Sequence, residues 1–381
     1  DHCTLCHKCY TPCPVSIDTG EVSIMERDIL AARKYKHTSL ATQMSLRYLQ
    51  SQSKILNMAF RKGVITFGGN VQRLGHELSR PFADIPRLKD LYAMQMLKSP
   101  LPKPSKDTLR DFLPVYQNNQ AMVINPSTET EKTVFYFPGC GSERLFSDIS
   151  KASIYILLQA GIRLVLPPPF LCCGYPLKVN AKTDQYNRTS LKNTILFSQI
   201  REMLNYITFS GCLVSCGTCR EALRDIETEK IFECRLDDVS NFVLENGLSV
   251  SGGGPAFYHA PCHDSFQGKA MDTLDAKAGY RTTAIPHCCS ESGTMPMSRP
   301  DIANAMLDRK RNAILEARNG MGGEPSVVLT NCPACIQGLG RNRDTGIVPR
   351  HIAVELAMRA GGEQWMDELS QLVRNAEAIT F

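Results

Sequence analysis

What this sequence lacks narrows its function before any motif is read. No apolar run is long enough to cross a bilayer, because the richest stretch, Ile154 to Gly174, is broken by Gly161, Arg163 and Pro167-Pro168-Pro169. The N-terminus opens on polar residues and cysteines, so it does not read as a secretory signal. Lysine and arginine are not gathered into runs, and a net charge of +5 is small for 381 residues, which leaves nucleic-acid binding without a footprint. No flavin- or nicotinamide-binding fingerprint appears, so an organic cofactor is expected on another segment or subunit. An initiator methionine is missing too: the chain starts Asp1-His2-Cys3, directly at a ligand motif, and we read it as a fragment of a longer protein. With 43% apolar and 21% charged residues it belongs among soluble globular chains of two or three domains. A cytoplasmic, reducing compartment is the default, and there closely spaced cysteines signal metal or redox chemistry more often than disulfides.

Sixteen cysteines are what the chain has instead. Cys3, Cys6, Cys9 and Cys13-Pro14 form the C-x2-C-x2-C-x3-C-P run of bacterial-type ferredoxins. The spacing predicts a cubane [4Fe-4S] cluster, although Cys13 could serve a second cluster completed upstream. Zinc has no use for the closing Cys-Pro. Ten further cysteines make one pattern written twice: Cys140, Cys172-Cys173 and Cys216/Cys219, then Cys262, Cys288-Cys289 and Cys332/Cys335. The step from the second cysteine of each pair to the next C-x2-C is 43 residues in both copies. Adjacent cysteines can serve one centre only at a bend, which Gly174 and Pro176 would supply. Five thiols per copy exceed the four of a structural zinc site but suit a multi-iron cluster. Cys212 and Cys234 fall outside the pattern and are expected in the core. His259, His263 and His287 stand where they could donate to cluster sulfurs, Arg220 where it could offset cluster charge, and His2 and His7 read as surface or supporting groups.

The order of elements predicts an α/β fold: two repeated domains with parallel sheets, preceded by a helical ferredoxin-like segment. We divide the chain into a ferredoxin-type segment (1–20), a helical region with a Pro-rich linker (21–130), and two cysteine-rich domains (131–250 and 251–381). In the helical region Asp18 and Glu21 resemble a capping box, and Met44, Tyr48, Leu49, Ile55, Leu56 and Phe60 form an amphipathic face opposite Lys54, Arg61 and Lys62. That face is read as packed on the core, with a membrane-surface helix as the alternative. The polar run 125–130 marks the next boundary. Beyond it, strands at 133–137, 164–166, 213–215, 256–258, 282–285 and 326–329 alternate with helices, and each delivers a cysteine at its end, where open α/β sheets place their sites.

At these residues the chain resembles the cysteine-rich CCG-domain family, which includes the CCG-bearing component of heterodisulfide reductase and the iron-sulfur subunits of glycolate oxidase and anaerobic glycerol-3-phosphate dehydrogenase. Tyr136 to Arg144, Leu171 to Pro176, Ser215 to Cys219 and Cys332 to Leu339 also resemble the C-terminal part of bacterial FAD-linked oxidases fused to ferredoxin and CCG domains. The resemblance implies a 4Fe-4S cubane at the N-terminal run and a cysteine-bound cluster, noncubane in heterodisulfide reductase, in each CCG domain. It implies an electron-transfer part of a lactate- or glycolate-type 2-hydroxy acid dehydrogenase, with FAD on an upstream domain or a flavoprotein partner and a quinone or other carrier as acceptor. The alternative it implies is disulfide reduction at a noncubane cluster, as in heterodisulfide reductase. Partners are thus a flavoprotein and an electron carrier, with no nucleic acid and no transmembrane segment, and with peripheral contact at the inner membrane left open. Two departures stand out: Ser290 follows the second pair where the family has glycine, and Ala260 stands where it often has aspartate.

Overall fold

The computed structural model describes every residue except 1, 2, 4, 11, 83, 84, 115, 116, 129, 130 and 292–294, so His2 and the end of the polar run 125–130 lie outside the described residues. Short runs, richest in β-branched and aromatic residues at Thr133–Phe137, form the strands Gln120–Ile124 (β1), Thr133–Phe137 (β2), Arg163–Leu166 (β3), Phe209–Val214 (β4) and Leu236–Asp238 (β5). The second half supplies Gly254–Tyr258 (β6), Tyr280–Ala284 (β7), Val327–Thr330 (β8) and Val348–His351 (β9), and Glu377–Thr380 (β10) follows. Val134 to Phe137 have no solvent contact at all, as expected of a strand covered on both faces.

The sheets repeat one topology. Their orders are β10-β1-β3-β2-β4-β5 and β7-β6-β8-β9, so that β3-β2-β4-β5 and β7-β6-β8-β9 both read 2-1-3-4 when strands are numbered within each half. All pairings within these quartets are parallel. The α/β expectation with parallel sheets therefore holds, and β1 with β10 adds an antiparallel edge to the first sheet. Residues 120–124 fall in the expected helical and linker region, and their strand comes from pairing with β3 rather than from a local pattern. The halves share a core: the buried helix Ser147–Gln159 packs against helix Ile352–Gly361, joining Tyr155, Ile156, Ile352, Leu356 and Trp365 in one apolar cluster. A separate aromatic group, with Phe135 and Phe232 stacked at 4.3 Å, fills the other face of the first sheet.

Asp18 caps helix Thr19–Ala32 by accepting from the Gly20 N–H at 2.8 Å, as its position suggested. The expected core-facing stripe further on is not found. Tyr48 is buried and Leu49 and Phe60 are half-buried, but Met44, Ile55 and Leu56 are exposed, Ile55 by 75%, while Arg61 is buried. Periodicity identifies an apolar face without saying which way it points. Here buried Arg61 donates to the carbonyls of Arg144, Ser105 and Asp107, and its polar face turns inward because both guanidinium amino groups find acceptors. Among the described residues no helix is long and apolar enough to cross a membrane.

Candidate metal centre

Each cysteine group leaves the carboxyl end of a parallel strand. Cys140, Cys172-Cys173 and Cys216 follow β2, β3 and β4, while Cys262, Cys288-Cys289 and Cys332 follow β6, β7 and β8. The strand order reverses at this edge, where adjacent connections leave in opposite directions and open a crevice. Cys216 and Cys332 are extended residues just before helices Gly217–Asp225 and Pro333–Gly340, and Cys219 and Cys335 lie in the first turns. Each C-x2-C thus straddles a helix N-terminus, where free N–H groups and the helix dipole favour thiolate.

The fold brings all ten thiols into one line. Cys140 and Cys172 lie 4.0 Å apart, sulfur to sulfur. From Cys172 the contacts run through Cys173, Cys219 and Cys216 to Cys332, then through Cys335, Cys289 and Cys288 to Cys262. The crossing between halves, Cys216 to Cys332, joins equivalent members of the two patterns. Flanking contacts are exchanged in the same way. A Cβ on Gly141 would lie 3.0 Å from Pro333, and one on Gly217 would overlap the His263 carbonyl oxygen at 1.8 Å. Gly141 and His263 each follow the lone cysteine of their half, and Gly217 and Pro333 each follow the first cysteine of the C-x2-C. The halves therefore meet as two copies of one domain do in a twofold dimer. No side chain would fit at Gly217.

Buried polar groups fix the turns that carry the adjacent pairs. Gly174 takes φ +88° and its N–H points at Cys172 Sγ at 3.4 Å; Ser290 takes φ +71° and does the same to Cys288 Sγ at 3.4 Å. Ser290 thus adopts the left-handed conformation that glycine favours, despite its side chain. In the first half the Glu143 carboxylate accepts the Phe170 N–H at 2.8 and 2.9 Å, and fully buried Arg144 donates to the Phe170 carbonyl, to the Leu49 carbonyl at 3.1 Å and to Asn57 Oδ1 at 3.0 Å. Asn193 Nδ2 donates to the Cys172 carbonyl at 2.9 Å. Burial raises the Glu143 carboxyl to about 7, with Arg144 opposing the shift. In the second half buried Lys310 donates to the carbonyls of Ile285 and Pro286 at 3.0 and 2.8 Å and contacts His259 Nδ1 at 3.0 Å.

The donor set fits an iron-sulfur cluster. Cys219 is pushed well above the usual thiol range by Cys173, Cys216 and burial, and Cys335 likewise by Cys289, Cys332 and burial. So many desolvated sulfurs cannot all be thiolates unless bound cations offset their charge. Burial, reinforced by the Lys310 ammonium, drives His259 down to about 3, so its ring is neutral. With Nδ1 accepting from Lys310, the proton sits on Nε2, which is buried and without a partner. One nitrogen of His259 lies within 4.8 Å of the sulfurs of Cys289 and Cys335. The Ser290 hydroxyl is buried and unpartnered as well. His259 Nε2 and the Ser290 hydroxyl are thus buried donors without a partner, on residues that border the second set of thiols, and a bound cluster would bring acceptor sulfurs to that half.

At the N-terminal run, the Leu5 and Ile17 N–H groups point at Cys3 and Cys13 sulfurs at 3.4 and 3.3 Å, and Thr19 Oγ1 donates to Cys9 Sγ at 2.6 Å, the main cause of its lowered pKa. The run lies against both cysteine-rich halves. His7, held through Nδ1 by Asp18 at 2.5 Å, packs edge-on against His263 at 5.5 Å between ring centres. His263 bonds Glu221 through Nδ1 and faces the Tyr175 hydroxyl at 3.3 Å. Cys288, burial and Cys289 push the Cys262 thiol well above its usual range, and Lys8 lies near enough to oppose the shift. Arg27 ties the segment down by donating to the Cys3 and Val179 carbonyls at 2.6 and 2.9 Å.

Other expectations met different fates. His287 is exposed. Arg220 donates to the Leu236 carbonyl at 3.3 Å. Cys212 is fully buried in the aromatic cluster, 3.5 Å from the Cys234 sulfur. Sequence reasoning assigned no role to Glu143, Arg144, Asn193, Glu221 or Lys310. Only Lys310 left a readable signal, as a lysine inside the apolar stripe Ala303, Leu307, Ile314.

The model of the CCG cysteine-rich domain matches residues 134–224 and 256–340. An uncharacterized iron-sulfur protein of Methanocaldococcus jannaschii is 23% identical over 343 residues, covering 88% of this chain and 55% of that protein. Lactate utilization protein A of an Exiguobacterium strain is 23% identical over 230 residues, 54% of this chain and 88% of the relative. A probable glycolate oxidase iron-sulfur subunit of Bacillus subtilis is 22% identical over 386 aligned positions, 95% of this chain and 82% of the relative. The chain spans about half the length of the methanogen iron-sulfur proteins it matches, 41% in one and 55% in the other. The repeated sheet, the doubled thiol pattern and these matches agree: the chain carries two CCG cysteine-rich domains.

Proposed function

We propose that this chain is an iron-sulfur electron-transfer module of an oxidoreductase that oxidises a 2-hydroxy acid of the lactate or glycolate type. Cys3, Cys6, Cys9 and Cys13 would hold a cubane, Cys140, Cys172, Cys173, Cys216 and Cys219 a second cluster, and Cys262, Cys288, Cys289, Cys332 and Cys335 a third. When bound, such clusters accept and pass on single electrons, supplied here by a flavin on an upstream domain or partner and delivered to a quinone or another carrier. The chain's own residues would set cluster potentials: backbone N–H groups and the His259 Nε2 proton donate toward sulfur, Lys310 and Arg144 supply buried positive charge, and packing excludes water.

The observation that carries this reading is the continuous line of ten thiols from Cys140 to Cys262, with the N-terminal run lying against it through His7 and Lys8. A disulfide reductase is the competing reading. To test both, the protein is purified without oxygen, its iron and acid-labile sulfide are counted, and low-temperature EPR is recorded after adding a reduced flavoprotein partner or a disulfide. We expect roughly twelve irons with matching sulfide per chain and signals that respond to the flavoprotein. Zinc without sulfide would sink the cluster assignment, and signals answering only to the disulfide would move the function to the second reading.

A further inference from the structure

A second group of metal-ligating side chains lies outside the line of thiols. His7 of the N-terminal run, Glu221 of helix Gly217–Asp225 and His263 of the second half converge, with one ligand atom of each within 4.8 Å of the other two. All three are half-buried. The way each is held shows what the group lacks. His7 Nδ1 faces the Asp18 carboxylate at 2.5 Å, so in the neutral ring Nδ1 carries the proton and Nε2 the lone pair. That Nε2 is buried and has no partner among the described residues. A buried acceptor without a donor is costly, and a carboxylate on the far nitrogen is how metal-binding proteins fix a histidine's tautomer and raise its basicity. His263 is arranged in the same way. Its Nε2 faces the hydroxyl of buried Tyr175 at 3.3 Å, and its Nδ1 meets Glu221 Oε2. With Nε2–H donating to Tyr175, Nδ1 turns a lone pair on a carboxylate, and such a contact needs a cation between the two atoms, either a proton or a metal.

Charge and ligand type say which cation fits. Asp18 and Glu221 bring two negative charges, which a divalent ion would balance. Lys178, close enough to act on Glu221, is committed to Asp225 at 3.0 Å. Two imidazoles and one carboxylate are a donor set that zinc takes with a fourth position left open, and one that ferrous iron also accepts. We propose that His7, His263 and Glu221 bind one divalent ion of the zinc class through His7 Nε2, His263 Nδ1 and the Glu221 carboxylate, with Asp18 and Tyr175 as the partners that orient the two rings. Each ligand comes from a different part of the chain: the N-terminal run, the first cysteine-rich domain and the second. The ion therefore clips the run across the seam between the halves. Zinc has no redox chemistry, so it would hold the run in place without entering an electron path. The site uses none of the cysteines and stands or falls apart from the electron-transfer reading.

The test uses the full chain, purified anaerobically with its iron. Excess zinc chloride is added, which displaces ferrous iron from a site of this kind; free metal is removed by gel filtration, and zinc, iron and acid-labile sulfide are counted. We expect about one zinc per chain beside unchanged iron and sulfide, and none in Glu221→Gln or His7→Gln. Glutamine at position 221 still accepts a hydrogen bond from His263, so it removes the anionic ligand and keeps the contact. Asp18→Asn can still cap helix Thr19–Ala32 and should weaken zinc about 10–100-fold in competition with a chelating dye. Hydrogen exchange in the N-terminal run should slow when zinc binds to the wild type and stay as it was in Glu221→Gln. Wild-type protein that retains no zinc would overturn the proposal, because the trio would then be a latch closed by a proton. So would retention that Glu221→Gln and His7→Gln leave intact, or zinc gained as iron is lost, which would put the ion among the cysteines.

Discussion

At the eleventh residue of the helix that follows the paired cysteines, the first half carries Asn193 and the second Lys310. Both are buried and both donate to backbone carbonyls of the cysteine turn. The first half places its buried cation elsewhere, on Arg144 beside Glu143, and leaves Asn193 neutral. The second puts an ammonium within reach of a neutral histidine that faces two thiols. One fold thus holds the same five sulfurs with the cation on different elements. The comparison teaches that the thiol pattern sets what is bound, while the groups behind it give each site its own electrostatics.

The largest effect should come from the pairs themselves. Cys173→Ser and Cys289→Ser are each expected to remove one cluster's worth of iron and sulfide and one set of EPR signals, with the other half's signals kept. If either variant lost both sets, the halves would be one centre rather than two. Next come the buried cations. Arg144→Met leaves the Tyr48, Leu49 and Phe170 carbonyls and Asn57 Oδ1 without their donor and should cost about 1–3 kcal/mol in chemical unfolding. Lys310→Met leaves two carbonyls and His259 without their donor and should cost about 1–3 kcal/mol. Removing its charge should also lower the reduction potential of the second centre alone, read by EPR-monitored titration. An unmoved potential would mean that Lys310 only fastens the turn. The smallest effect belongs to the residue after each pair. Gly174→Ser must hold a side chain at φ +88° with its Cβ 3.0 Å from Tyr186, and we expect a loss of about 1–2 kcal/mol. Ser290→Gly relieves the same backbone conformation and should raise stability by up to about 1 kcal/mol, while lowering the second potential if the Ser290 hydroxyl donates to sulfur.

Much of this arrangement was legible in the residues. The duplicated cysteine spacing, the alternation of strands and helices and the placing of each cysteine at a strand end all come from local patterns, and the parallel quartets follow from them. What stayed hidden is non-local. Strand β1 exists because β3 and β10 pair with it, and Arg61 is buried because carbonyls from Arg144, Ser105 and Asp107 converge on it. Neither partner set leaves a trace near the residue concerned. The meeting of Cys216 with Cys332 was equally unreadable, since a repeat in sequence does not say how its copies face each other.

That meeting bears on descent. In a homodimer with exchanged contacts of this kind, every substitution appears on both sides of the axis, so the two metal sites must stay identical. Joined end to end on one chain, the copies are released from that constraint. Asn193 opposite Lys310 and Gly174 opposite Ser290 are the divergences such release permits, and a gene duplication thereby turns a symmetric pair of equal sites into two centres that selection can tune separately.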